Sequence, residues 1–418
     1  CKPRGRAATC APRRAAGASP WRLTAAWPLD VLLPLTLYVL VISASARPFL
    51  AGLLTLAAGA GWARADRDKR RVLCEPIVFT DVFQSVDILR HPHLALPFPH
   101  KGPVVLAALA TVAVLAGLVA LEPVVWHGHG WLFPLVVIAG YGLARLDPLW
   151  RSTIYARLRP CLSGDPARDG AVHGALATMV LYGLFAAHER PQRLDAAKRT
   201  PLTPSLRATP SRPILLVQNE SFFDARRLHP ALLPEGLPFW DEACREARQT
   251  GLFGVPSWGA NTVRTECAVL TGLDETRLGF DRFNPYHRLI RQPLPTWVSR
   301  LREQGYYTVC LHPFDRRFYA RDQVMPHLGF DAFLGDEDFA DVERINGYVT
   351  DAATTRRMLQ LLDEHGDRLL LFVITMENHG PWRGVPTHEA AQIPAVLPLE
   401  DGERAALGQY LRSVRNAD

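Results

Sequence analysis

Cysteine is sparse in this chain and never paired in sequence. The seven residues, Cys1, Cys10, Cys74, Cys161, Cys244, Cys267 and Cys310, are scattered, odd in number and nowhere form CxxC. That spacing gives no zinc knuckle and no disulfide framework, so isolated thiols are expected. The second half also lacks any stripe of interleaved basic and aromatic residues. Nucleic acid is therefore not the expected partner of the +6 net charge. Charge of either sign is missing from Pro103–Leu121. Such a run has no polar face to show water and does not read as an ordinary core helix. Acidic residues are missing from the opening CKPRGRAATCAPRRAAGASPWR, which carries six Lys and Arg.

What is present divides the chain in two. Its 418 residues suffice for two or three domains. Four apolar runs fall in the first half: Trp27–Ala46, Phe49–Ala63, Pro103–Leu121 and Trp126–Ala144. A bilayer core takes about 20 apolar residues per helix. The first, third and fourth fit as spans, and the second fits as the return arm of a hairpin with the first. Basic clusters flanking these runs mark the cytoplasmic side. The N-terminus, Arg64–Arg71 and the stretch holding Arg145, Arg151, Arg157 and Arg159 are then all inside. An extracytoplasmic second half needs a fifth span, for which Gly170–Ala187 is the candidate; the alternative is four spans and an interfacial helix. His188–Pro213, rich in Pro, Arg, Ser and Thr, reads as a linker. The chain begins with Cys and stops at YLRSVRNAD, a helix-like run with no stop signal, so a fragment truncated at both ends is expected.

From residue 214 onward, strands alternate with helices. PILLVQNESFFD gives a buried strand, Ile214–Gln218, and then a polar loop. A second strand is expected at Tyr307–Leu311 and a third at Leu369–Thr375, the latter preceded by a helix capped by Asp351. Alternation of this kind indicates a mostly parallel sheet with helices on both faces. In such sheets ligands bind beyond the carboxyl ends of the strands. Those ends carry Glu220, His312, and Asn378 with His379.

The stretch WGANTVRTECAVLTG places Val263, Cys267 and Leu270 on one helical face and ends at Gly272, a C-terminal stop signal. The helix starts near Asn261 or Thr262. A hydroxyl there has two readings. It caps the helix, with Thr265 or Glu266 reaching back, or it lies where free N–H groups and the helix dipole stabilise an anion.

The motifs NESFFD, GANTVRTECAVLTG, CLHPFDRRFYARDQVMPHLGFDAF and VITMENHGPW, in this order, resemble the alkaline-phosphatase superfamily. The similarity is to its lipoteichoic acid synthase and phosphoglycerol transferase branch. The resemblance covers roughly residues 210–418. It implies an N-terminal α-helical transmembrane bundle (1–187, four or five helices), a linker (188–213) and an incomplete extracytoplasmic α/β sulfatase-like domain (214–418). By the same resemblance Glu220 is a metal ligand, Thr262 is both nucleophile and metal ligand, and His312, Arg321 and His379 bind substrate. Glu266 is read as a support for the loop or helix start rather than a metal ligand, and Thr265 and Thr271 as structural. Two positions depart from the family pattern: Phe314 stands where an acidic residue is usual, with Asp315 one place later, and Tyr319 stands for a tryptophan. The family's Asp-His metal pair has no counterpart in residues 210–418.

The chemistry so implied is transfer of a phosphoglycerol-type head group from a phospholipid, through a phospho-threonine, to an extracytoplasmic glycan or polyol-phosphate acceptor. One divalent ion (Mn, Mg or Zn) would lower the threonine pKa, at the plasma (inner) membrane. Rival readings are a sulfatase-like hydrolase or phosphodiesterase, a phosphoethanolamine transferase, and a non-catalytic membrane sensor. CKPRG at Cys1 comes close to the sulfatase C/S-x-P-x-R signature, but its fifth residue is Gly5 and it lies outside the sulfatase-like half.

Overall fold

The computed structural model describes residues 27–91, 101–125, 135, 148–199, 212–258, 261–289, 292–382 and 387–418. Six strands are found among them: β1 (Ile214–Gln218), β2 (Tyr307–Leu311), β3 (Ala332–Leu334), β4 (Arg344–Ile345), β5 (Tyr348–Val349) and β6 (Leu369–Ile374). Four of them make one parallel sheet in the order β1-β6-β2-β3, and β4 and β5 pair as a small antiparallel hairpin. The central strand β6 is LLLFVI, apolar throughout, because both faces of a parallel sheet must be covered. Its Leu370, Phe372 and Ile374 enter one core, and its Leu369, Leu371 and Val373 enter the opposite one.

The helices divide into an N-terminal group and a sheet-covering group. The first comprises α1 (Trp27–Ser45), α2 (Pro48–Leu73), α3 (Asp81–Arg90), α4 (Lys101–Leu121) and α5 (Ala175–Arg199). The second comprises α6 (Thr262–Thr271), α7 (Trp297–Glu303), α8 (Arg321–Leu328), α9 (Asp351–His365) and α10 (Asp401–Ala417). Helices α6, α7 and α8 cover one face of the sheet through Val263, Cys267, Leu270, Val298, Leu301 and Val324. Helix α9 covers the other through Ala353 and Leu361. On that second face the edge strand β1 leaves Leu215 and Val217 exposed by 41% and 43%.

The N-terminal helices are tied together by buried carboxylates at helix starts. Glu122 accepts hydrogen bonds from the free N–H groups of Phe49 and Leu50 at 2.7 and 2.8 Å, at the first turn of α2. Asp30 of α1 accepts from Ala177 N–H of α5 at 2.8 Å. Its carboxylate occupies the space that a Cβ on Gly174 would need, and Gly174 has φ of +97°, so glycine is required there.

Several expectations for this half are corrected. Among the described residues no helix is long and apolar enough to cross a membrane, so a bundle of four or five spans is not supported. The return arm Phe49–Ala63 continues without a break through Arg64–Arg71, making α2 a helix with a strongly charged second half. The candidate fifth span, Gly170–Ala187, is split by Gly174. Its Leu181, Tyr182, Phe185 and Ala186 are buried against Phe280 and Phe283 rather than turned to lipid. Helix α5 then runs on to Arg199, through the first half of the stretch read as a linker. The run Trp126–Ala144 lies, apart from Leu135, outside the described residues. Cys74 is disulfide-bonded, while Cys161, Cys244, Cys267 and Cys310 are free thiols. The cap of α9 is Thr350, whose hydroxyl accepts from Ala353 N–H; Asp351 is the first helical residue.

Leu371 is fully buried in the middle of β6. Leu371→Ala is expected to cost about 2–5 kcal/mol through lost transfer energy and the cavity left behind. The measurement is the shift of the urea unfolding midpoint at unchanged m-value.

Candidate active site

The carboxyl ends of β1, β6 and β2 meet at one place and are stitched together by short polar contacts. Glu220 N–H, in the loop after β1, donates to Thr375 Oγ1 at 3.1 Å. Asn378 Nδ2, after β6, donates to the Ser221 carbonyl at 3.1 Å. His312, directly after β2, donates from Nδ1 to the Ile374 carbonyl at 3.0 Å. A carbonyl can only accept, so Nδ1 carries the proton and Nε2 is left with its lone pair. Burial, reinforced by Arg321, pushes the His312 imidazolium down to about 3, so the ring is neutral near neutral pH. His379 is half-buried and donates from Nδ1 to the Gly380 carbonyl at 2.6 Å.

Thr262 opens α6. Its preceding residue, Asn261, is buried in a left-handed conformation (φ 68°, ψ 43°) and makes no side-chain cap. The capping reading is therefore not what is found: the Thr262 hydroxyl has no partner among the described residues, and neither Thr265 nor Glu266 reaches back. Thr271 is structural, donating to the Cys267 carbonyl at 2.6 Å. Val263, Cys267 and Leu270 are all fully buried, as the helical spacing requires.

One turn after Thr262 stands Glu266, fully buried. It accepts from Arg321 NH2 at 2.7 Å and from Tyr286 OH at 2.6 Å. Burial alone would raise the Glu266 carboxyl, but Arg321 outweighs it and the net direction is down. Arg321 is itself 2% exposed, with its guanidinium over the Tyr319 ring at 5.3 Å. Arg321 is thus held inside the protein by Glu266 and stacked on the residue that replaces the family tryptophan.

Backbone strain concentrates here. Nine described non-glycine residues have positive φ, and four of them adjoin residues singled out in the sequence: Ser221 follows Glu220, Asn261 precedes Thr262, and Tyr319 and Ala320 precede Arg321. Such conformations cost of order 1–3 kcal/mol each and persist where surrounding structure fixes them, commonly at functional sites.

Three sets of contacts had no signal in the sequence, because their partners are far apart in the chain. Glu377 and Asp351 form a buried carboxyl pair beside the His379 loop. Glu377 Oε2 accepts from Asp351 N–H at 2.8 Å and its Oε1 from Asn416 Nδ2 at 2.7 Å. Arg264 of α6, 8% exposed, makes a two-pronged ion pair with Glu75 at 2.8 and 2.9 Å and donates to the Phe283 carbonyl. His91 meets Asp315 at 3.1 Å, so the N-terminal helical part touches the loop after His312.

The expected divalent ion is not matched by a full donor set. Glu220 and Thr262 offer one carboxylate and one hydroxyl, fewer oxygens than divalent sites use. Among the described residues no group of three or more His, Cys, Asp or Glu is placed to hold a metal. Glu266, the nearest carboxylate in sequence, is already committed to Arg321.

Residues 213–418 match the Sulfatase family model. A putative cyclic beta-1,2-glucan modification protein of Rhizobium meliloti (strain 1021) is 28% identical over 54% of this chain and 35% of its own length. The capsular polysaccharide biosynthesis protein RkpI of the same organism is 27% identical over 84% of this chain and 68% of its own. The chain therefore spans about a third of one curated relative and about two thirds of the other. Among solved structures, the lipoteichoic acid synthase LtaP from Listeria monocytogenes aligns at 21% identity and a TM-score of 0.39, over 55% of this chain and 52% of that one. An overlap that partial assigns no activity.

Two outcomes follow from this geometry. Glu75→Gln leaves the Arg264 guanidinium buried without its counter-ion and is expected to cost about 3–5 kcal/mol; pairing it with Arg264→Met should recover most of that loss in a urea-unfolding double-mutant cycle. Burial, and next the Glu377 carboxylate, raise Asp351 from 3.8 to about 7. The folded protein binds this proton more tightly than the unfolded chain, so its contribution falls as pH rises from about 4 through 7. Asp351→Asn should therefore gain stability relative to the parent over that window; a difference that stays constant with pH would contradict the assignment.

Proposed function

We propose that the protein is a membrane-associated transferase that moves a phosphoglycerol-type head group from a phospholipid to a glycan through a phospho-threonine at Thr262. The observation that carries this reading is the state of Thr262. Its hydroxyl is uncapped at the start of a ten-residue helix, behind a strained Asn261 and one turn before a buried Glu266–Arg321 pair. Free N–H groups and the dipole at a helix start favour an anion, such as a phosphoryl oxygen. Relatives named for glucan modification and capsular polysaccharide biosynthesis support a saccharide acceptor.

In the first half-reaction Thr262 Oγ attacks phosphorus, the bond to the diacylglycerol oxygen breaks, and that oxygen takes up a proton. In the second an acceptor hydroxyl attacks the same phosphorus, and Thr262 leaves and regains its proton. The helix start and Arg321 stabilise charge on the phosphoryl oxygens. His312 is neutral and carries its proton on Nδ1. Its Nε2 accepts a hydrogen bond from a substrate hydroxyl and orients it. His379 contacts the head group from the β6 loop. Glu220, in the loop after β1, accepts from Ser221 Oγ at 3.1 Å.

The catalytic unit in this reading is residues 214–418, outside the cytoplasm. Membrane association is assigned to α1 and α4, whose Val31, Leu35, Leu106, Leu109 and Val112 are all more than half exposed. Contiguous exposed apolar surface of this kind marks an interaction site.

With labelled phosphatidylglycerol and the intact protein, Thr262→Ala is expected to lower head-group release by at least about a thousandfold. Mass spectrometry should find the phosphoglycerol adduct on the peptide holding Thr262 in the parent and not in the variant. Undiminished release by Thr262→Ala would remove it as nucleophile.

A further inference from the structure

A cleft of about 940 Å³ opens beyond the carboxyl ends of β2 and β3, beside the reaction centre rather than over it. Its inner wall is Phe314 and Tyr348. The same two rings border the site: Phe314 lies 6.1 Å from the His312 ring and 6.3 Å from Tyr348, and Tyr348 lies 5.7 Å from His379. The cleft and the site therefore share a wall. Phe314 is also the residue found where the family pattern has an acid, so this departure gives the cleft an apolar ring in place of a charge.

The polar lining is balanced in sign. Arg344 pairs with Asp336 at 2.7 Å, Arg317 with Asp315 at 3.1 Å, and Arg316 with Glu337. Asp322 adds one further carboxylate at the rim. Three guanidiniums thus face four carboxylates, leaving no positive excess for a polyanion. Asn346, exposed at the β4–β5 turn with φ of 54°, adds an amide that both donates and accepts. A lining of alternating donors and acceptors around an aromatic wall suits a neutral polyhydroxylated ring. Hydroxyls bridge the planar charged groups, and the C–H face of the ring lies on Phe314. The volume is within the range of small-molecule sites.

We propose that this cleft holds the acceptor as a neutral saccharide, presenting one hydroxyl past Phe314 toward the centre bounded by His312 and His379. The proposal rests on the transferase reading and names its acceptor class. A phosphate-rich polyol acceptor is the outcome that would contradict it.

The test is calorimetric titration of the intact protein with a neutral β-linked gluco-oligosaccharide and, separately, with a glycerol-phosphate oligomer. Saturable binding of the neutral saccharide is expected, little changed by added salt and weakened about tenfold or more by Arg344→Ala and by Asn346→Ala. Both side chains are exposed, and unchanged melting temperatures would exclude misfolding. The proposal is overturned if the neutral saccharide does not bind, if both variants bind it as the parent does, or if the phosphate oligomer binds in its place and is weakened by the same substitutions. The adduct on Thr262, formed by the parent from lipid donor without any saccharide, is scored separately. An adduct without saccharide binding removes the cleft assignment and leaves the transferase reading standing. Saccharide binding without an adduct removes the transferase reading, and the acceptor role with it.

Discussion

The Glu266–Arg321 ion pair is the contact on which the rest of the site depends. Both groups are buried, so each has lost its water, and that loss is repaid only when geometry and secondary hydrogen bonds are good. Tyr286 supplies one such bond. The opposed shifts agree with this: despite burial, the carboxyl is driven down and the guanidinium up. The pair spans α6 and the start of α8, so it locks the helix that begins at Thr262 to the loop that leaves β2 at His312. Its Arg321 also reinforces the burial that keeps the His312 imidazole neutral, while Glu266 opposes it. A cation at this depth is a fixed field aimed at the site rather than a mobile side chain that closes on a ligand.

The same logic extends outward to the N-terminal helices. Arg264 lies two residues after Thr262, and its counter-ion, Glu75, comes from the segment after α2, 189 residues away in sequence. Lys69 in turn holds Glu75 and Asp81 at 3.2 and 2.6 Å, carrying the network into the basic half of α2. Asp315, three residues after His312, meets His91 just beyond α3. The basic run Arg64–Arg71 is therefore spent partly on structure: Arg64 pairs with Asp68, and Arg70 with Asp66. Charge clusters that flank apolar runs serve topology in membrane proteins, but here some of that charge anchors the helical part to the sheet-bearing part through Glu75 and Arg264.

How much could be read from the sequence depended on the range of the interaction. The strands β1 and β2 fall at the expected residues, and α6 begins at Thr262 and stops at a left-handed Gly272, because apolar runs and glycine stops are local signals. The strand ends that carry Glu220, His312 and His379 converge because a parallel sheet puts them on one side. Local patterning could not assign Glu266 its partner, 55 residues on, nor Glu377 its pairing with Asp351 and Asn416. Hydropathy misled at Gly170–Ala187, where an apolar stretch is buried against Phe280 and Phe283; a run of such residues reads alike whether its surroundings are lipid or protein. The cap of α9 moved by one residue, from Asp351 to Thr350, since either side chain can accept from a helix-start N–H.

Charge also divides the two substrates of the proposed reaction. A head-group phosphate needs an anion site, and one is built from a helix start and Arg321, with the guanidinium held in place by a single carboxylate. Each of the three arginines in the neighbouring cleft also has a carboxylate partner, so the cleft's field is short-ranged and falls off within its size. A phosphodiester approaching both surfaces is drawn to the first and gains nothing from the second. A neutral saccharide is indifferent to the first and finds hydrogen-bonding partners in the second. In the proposed reaction the helix start at Thr262 favours the head-group phosphate, the cleft offers hydrogen-bonding partners to a neutral saccharide, and Phe314 stands between the cleft and His312.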